Sequence, residues 1–346
     1  MQCIFTILFL GAVLVGCGDQ VSAPFNQEAF STKHLYIATG ACYGGGVVTS
    51  PGPSNIVARF DLQTGQLLAD VIDYNSFSPG DSPVSISDYS EDEMLVLVEN
   101  TAGRRIDRVR KDGSGAAVHI INATALSAVL RTFIRLSDFS ILVSKSTAVE
   151  KFNSAKSRVL IGAAPWVSAP AGACAASATL ISSIAAFPNG KILYAHAAAT
   201  PNNRIGLISA SGYAAAGDCL AVQAGPTTTA LPTRVLIHSS GRTLVSFGST
   251  TAASNTIYSY NVNSTANTIT APVAAWTDFS VVNGPSAMVE DPSNGNVLIS
   301  SATSTFNTVE RFSYNSTTNT LSRVGAAPFM TPSIHTRCIT DMKVMP

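Results

Sequence analysis

Along most of the chain, apolar residues gather in short runs separated by polar stretches rich in Gly, Asn, Asp and Ser. Runs of that kind bounded by turn formers read as β-strands rather than helices. One phrase recurs: a short apolar strand, a turn carrying Gly, Asn or Asp, then a second and more strongly apolar strand. It appears at 182–187 and 191–195 around Pro188-Asn189-Gly190, at 233–238 and 242–247 around Ser239-Ser240-Gly241, and at 286–290 and 296–300 around 291–295. Weaker copies run 84–88 into 94–98 and 132–136 into 141–144. A third strand and a polar turn into a fourth follow, as at 55–62 and 66–72 around Gln63-Thr64-Gly65. Others are 105–110 before Lys111-Asp112-Gly113 and 256–261 before Asn263-Ser264-Thr265. Gly and Asn suit these turns because they tolerate the positive φ that tight antiparallel connections demand.

The unit is thus a four-stranded antiparallel meander. Its second strand starts near Leu35, Met94, Ile141, Ile192, Thr243 and Val297, a spacing of about fifty residues. In the C-terminal third the repeat is visible letter by letter: NTIYSYNVNSTANTI at 255–269 returns as NTVERFSYNSTTNTL at 307–321, an offset of 52. Such a unit cannot bury both faces alone, so the copies must stack around an axis. The fold class expected is all-β, a β-propeller of six four-stranded blades, with seven as the alternative count. The unit at Leu35 has no first strand before it, and 337–344 is a lone strand after the last unit. Joining them closes the ring and hides the sheet edges.

The N-terminus begins MQCIFTILFLGAVLVGCGD, an apolar stretch too short to span a bilayer comfortably and ending in small residues, as a signal peptide does, although residues 1–4 carry no Lys or Arg. Leu14-Val15-Gly16-Cys17 resembles the lipobox of bacterial lipoproteins. That resemblance implies cleavage before Cys17, lipidation of its sulfur and, with Gly18 following, release to the outer membrane of a Gram-negative host. The expected organisation is a signal peptide at 1–16, a lipid-anchored tether at 17–32, and a single propeller domain at 33–346. Setting Cys3 and Cys17 aside leaves Cys42, Cys174, Cys219 and Cys338, an even number in a compartment where disulfides persist. Four thiols allow three pairings. Ring closure places Cys42 and Cys338 in one blade, which favours that pair and leaves Cys174 with Cys219.

Charge removes some functions. The 21 basic and 21 acidic residues cancel and only 12% of the chain is charged, so there is no electrostatic reason to bind nucleic acid. The chain lacks Gly-x-Ser-x-Gly, His-Glu-x-x-His, Cys-x-x-Cys and phosphate-loop motifs. Residues 40–46, with Tyr43 at their centre, form a glycine-rich loop without the Lys or helix that phosphate binding needs. His34, His119, His196, His238 and His335 are scattered. His196 ends a second strand and His335 precedes a first one, so both are expected at the face where propeller ligands usually sit. Arg104, Arg105, Arg108 and Arg110 form the one basic cluster, and Trp166 and Trp276 follow fourth strands. Neither a metal nor another cofactor is expected. His196, His335, Trp166, Tyr43 and Arg104 are the candidate ligand contacts. Asp61 and Asp291 each precede a Gly by four residues, which reads as a turn cap rather than a calcium loop.

Over roughly 33–346 the blade grammar resembles extracytoplasmic bacterial propellers of the lactonase-like and NHL-like kinds, without the Trp-Asp or kelch signatures. The function expected is a lipid-anchored binding or scaffold protein of the cell envelope with a protein or glycan partner. The resemblance implies an alternative, a hydrolase with a site at the mouth of the central channel, with or without a metal.

Overall fold

The computed structural model describes residues 33–40, 54–100, 103–122, 130–145, 148–160, 166, 180–197, 203–212, 218–226, 230–248, 255–278, 280–301 and 308–346. The expected signal peptide and tether at 1–32, with Cys17, and also Cys42, Tyr43 and Cys174, lie outside these residues.

The first sheet contains β1 (His34–Thr39), β2 (Ile56–Asp61) and β3 (Leu67–Asp73). The second runs β4 (Ser82–Asp88), β5 (Glu93–Asn100), β6 (Gly103–Arg110), β7 (Val118–Ile121). The third runs β8 (Leu130–Arg135), β9 (Ile141–Lys145), β10 (Ala148–Phe152), β11 (Arg158–Val159), and the fourth β12 (Leu180–Ala186), β13 (Ile192–Ala197), β14 (Arg204–Ile208), β15 (Cys219–Ala224). In the fifth, β16 (Leu231–Ile237), β17 (Thr243–Gly248) and β18 (Thr256–Tyr260) pair in order. A small hairpin of β19 (Val262–Asn263) and β20 (Thr268–Ile269) then interrupts the path to the outer strand β21 (Val273–Trp276). The sixth runs β22 (Pro285–Asp291), β23 (Asn296–Ser301), β24 (Val309–Asn315), β25 (Thr320–Arg323).

The last strand, β26 (Ile339–Met345), makes no seventh unit. It pairs antiparallel with β1, from His34 opposite Met345 to Ala38 opposite Asp341, and so supplies the missing innermost strand of blade 1. The innermost strands then contact one another in a closed circuit: β26 with β4, β8, β12, β16, β22 and β26 again. This is a six-bladed β-propeller.

Second strands are the strongest apolar signal because they are buried on both faces. Along β5, Met94, Val96 and Val98 pack toward blade 1 while Leu95 and Leu97 pack toward blade 3. Along β13, Ile192 and Tyr194 face blade 3, and Leu193 and Ala195 face blade 5. A period-two strand sandwiched between neighbours needs apolar residues at every position. The core is accordingly six clusters, one per junction between blades.

Tight turns close one end of the ring. In the turns between third and fourth strands every blade holds at least one described residue at positive φ: Gly65, Gly113 (with Gly115), Lys156, Gly212, Asn267 and Asn319. The last two are the 52-residue echo. Asn263 Oδ1 accepts from the backbone N–H of Thr265 and Ala266, as Asn315 Oδ1 does from Thr317 and Thr318, all at 2.8–3.2 Å. Asp61 and Asp291 cap their turns in the same way, each accepting from the backbone two residues on.

Candidate functional site

Innermost strands start at the end of the ring opposite these turns, and each carries a β-bulge there. The register slips at Val84, at Arg131 and Thr132, at Ser182, at Thr233, at Ser286 and Ala287, and at Thr340. A bulge frees backbone groups that need new partners, and the bulged residue itself provides them in half of the ring. Thr233 Oγ1 donates to Pro285 O (2.7 Å), Ser286 Oγ to Ile339 O (2.7 Å), and Thr340 Oγ1 to Pro83 O (3.0 Å). Each hydroxyl thus reaches the residue before the bulge of the next blade. Ser144 and Ser300, on second strands, satisfy the freed amides of Thr132 and Ala287.

Two opposite charges sit inside this hydroxyl belt. Arg234 on β16 donates to Thr340 O and lies with Nε 3.9 Å from Asp341 Oδ1, although β22 stands between β16 and β26 in the ring. The guanidinium therefore crosses the inside of the circuit. Asp341 Oδ2 accepts from Ser85 Oγ and, at 3.0 Å, from the Ile86 amide of blade 2. Both are nearly buried, Arg234 at 9% exposure and Asp341 at 4%. One ion pair thereby ties blades 5, 1 and 2 across the axis, with the hydrogen bonds that a desolvated pair requires. Sequence reasoning passed over both residues. The signal was present in the repeated pairs Pro83-Val84, Pro232-Thr233 and Pro285-Ser286 at the start of innermost strands, where Pro needs no ladder hydrogen bond.

A second polar cluster lies between blades 1 and 2. Asp107, fully buried, accepts from Arg105 Nε (2.9 Å), from Tyr74 Oη (3.3 Å) and contacts His119 Nδ1 at 2.7 Å. Arg105 also pairs with Asp81, which takes a 2.6 Å bond from Asn100. Burial raises the Asp81 carboxyl, and hydrogen bonds from Arg105, Asn100 and Ser78 more than reverse this, leaving it below the usual range. Burial and the Asp107 charge push the Tyr74 phenol well above its ordinary value. The half-exposed His119 imidazole is held through Nδ1 by a buried carboxylate. Blades 3 and 6 use the corresponding positions for buried Glu150 with Arg158 and Glu310 with Arg323.

The expected contacts do not converge. His196 is in β13 with its ring buried at 1% exposure, neither nitrogen has a hydrogen-bond partner among the described residues, and burial followed by the Arg204 charge lowers its pKa. It is therefore an interior residue rather than a loop residue. His335 turns toward the outer strand of blade 1 and meets Asp70 at 2.9 Å. Trp166 is buried in the wall between blades 3 and 4. Trp276 donates to Asp278 O and packs on Phe312. Arg104 pairs with Glu99, Arg108 with Glu93, and Arg110 with Asp112. Cys219 and Cys338 are both disulfide-bonded. Among the described residues no three His, Cys, Asp or Glu side chains converge as a metal site would require, and no helix is long and apolar enough to cross a membrane.

No family model and no curated protein matches the chain. Solved structures do. The chain is similar to Kuenenia stuttgartiensis hydrazine synthase (10% identity over 75% of this chain and 70% of that one, TM-score 0.51). It is also similar to the PQQ-bound aldose sugar dehydrogenase of Streptomyces coelicolor (11% identity, 77% and 90%, TM-score 0.50). A gluconolactonase from Xanthomonas campestris aligns at 12% identity over 69% and 72%, with a TM-score of 0.45. At such identities the likeness concerns the fold and carries no activity across.

Proposed function

We propose that the protein is a lipid-anchored extracytoplasmic propeller of a bacterial envelope that works as a binding or scaffold protein, held to the outer membrane through Cys17. The observation that supports a binding role is the axis. The Arg234–Asp341 pair occupies the position where a propeller enzyme needs uncommitted polar groups, and it is engaged in holding three blades together. The body is then a rigid platform for a protein or glycan partner. Disulfide-bonded Cys219 and Cys338 agree with an oxidising compartment. The pairings proposed are Cys42 with Cys338 and Cys174 with Cys219. In favour of the first, the Gly40 N–H donates to Cys338 O at 3.1 Å, which brings the chain two residues before Cys42 against Cys338.

A second reading, a propeller hydrolase, draws on one feature: His119 held by buried Asp107 has the geometry of an oriented general base. It lies at a junction between blades rather than at the axis. Fractionation tests the first reading: Cys17→Ser should move the protein from the membrane to the soluble fraction, and retention in the membrane removes the anchor. Lactone turnover or a stoichiometric divalent metal in the same preparation would transfer the assignment to the hydrolase.

A further inference from the structure

The ring's own repeat identifies a site on the end opposite the axial belt. Turns between first and second strands in blades 3, 4 and 5 share one bonding pattern, in which the fourth residue donates to the carbonyl of the first: Phe139 to Leu136, Gly190 to Phe187 and Gly241 to His238. These residues stand 51 apart (190 − 139 and 241 − 190), all at positive φ, and of these three blades only blade 3 lacks a glycine there. The turns between third and fourth strands tell the same story. Five blades place Gly or Asn at the positive-φ position, and blade 3 places Lys156. Phenylalanine and lysine are poorly suited to this conformation. Blade 3 therefore departs from the repeat at both of these turns, toward side chains that have to be justified by what they touch.

They touch each other's surroundings. Arg135 stacks on the Phe139 ring, 4.7 Å from guanidinium carbon to centroid, and donates from Nε to Asp88 O at 2.9 Å. Lys156 Nζ lies 5.2 Å from the Tyr89 ring centre and 3.5 Å from Phe139 O. Tyr89 and Phe139 meet edge to face at 6.1 Å. Neighbouring acids are used elsewhere: Asp88 by Lys111, Glu93 by Arg108, and Asp138 by Ser140 of its own turn. Among the described residues Arg135 and Lys156 have no carboxylate partner. Burial, then Arg135 and Arg108, lowers the Lys156 pKa, as expected where cations crowd. Phe139 itself is 47% exposed on a turn whose other exposed residues are Ser137 and Asp138.

We propose that this junction of blades 2 and 3 binds a carboxylated saccharide of the uronate type, the sugar ring against the Phe139 face and its carboxylate on Arg135 and Lys156. An exposed ring flanked by two cations that no described carboxylate neutralises suits one pyranose acid, whereas a protein hot spot draws on a wider apolar patch. The proposal names a ligand class for the binding role above, but it rests on different residues from the anchor, so Cys17→Ser fractionation and this test fail independently.

The test is affinity electrophoresis of the purified full-length chain through gels holding polygalacturonate, the same polymer methyl-esterified, or polyglutamate. Retardation is expected with free polygalacturonate and at least tenfold weaker with the esterified polymer or polyglutamate. Phe139→Asn and Lys156→Asn, which place an αL-tolerant residue in each turn, should each weaken binding at least tenfold while the melting temperature stays level or rises. Arg135→Gln, which leaves both turns untouched, should weaken it likewise. Absence of retardation, equal retardation by polyglutamate, or variants that bind as tightly as the parent would each overturn the proposal.

Discussion

A carboxylate or amide side chain at the head of a turn and a Gly or Asn at its positive-φ position were readable in the sequence because both requirements are local. Asn263 and Asn267 do in one copy what Asn315 and Asn319 do 52 residues later. His196 was not readable, since nothing in Tyr194-Ala195-His196-Ala197 says that the ring ends up buried. Its burial has a measurable consequence. A histidine whose pKa is lowered on folding from 6.5 binds fewer protons in the native state than in the unfolded one, so stability falls as pH drops below 6.5. His196→Leu should reduce the pH dependence of unfolding free energy below about pH 6.5, removing a slope of up to about 1.4 kcal/mol per pH unit. Asp61 and Asp138, held below the ordinary 3.8 by their turn hydrogen bonds, titrate lower and will not mask it. Urea titrations at stepped pH measure this, and an unchanged slope means the ring finds a proton partner on folding.

At the scale of the strand, the period-two pattern and the turn signals placed nearly every element, and the strongest runs proved to be second strands buried on both faces. The fifth blade departs from the expected meander: Asn263-Ser264-Thr265 belongs to the small hairpin of β19 and β20, and the outer strand β21 comes later. The bulges were not legible, because a bulge is a mismatch between two strands and neither strand alone encodes it. Strand β26 is the element on which the others most depend. Deleting 337–346 would expose β1 along its whole length and leave β4 and β22 without their shared neighbour. Loss of the cooperative thermal transition is expected, followed by circular dichroism; a melting curve matching the full chain would mean the ring closes without it.

At the scale of the molecule, the ring is held by its inter-blade cores and by the ion pair across its axis. Asp341→Ala leaves Arg234 nearly buried without its counter-charge and should cost about 3–5 kcal/mol, whereas Arg234→Met with Asp341→Asn should cost less than the single loss. Chemical denaturation of the two variants measures it, and a double variant that costs as much as Asp341→Ala or more would show that the pair is not coupled. Fold class, blade count, closure by the last strand and turn chemistry followed from periodicity and composition alone, since each is a short-range preference repeated around a symmetric ring. The axial pair joins residues 107 positions apart, and the cluster at Phe139 and Lys156 joins two turns to Tyr89 of another blade. Contacts of that kind depend on which strands the closed ring sets side by side, and only the tertiary structure supplies that.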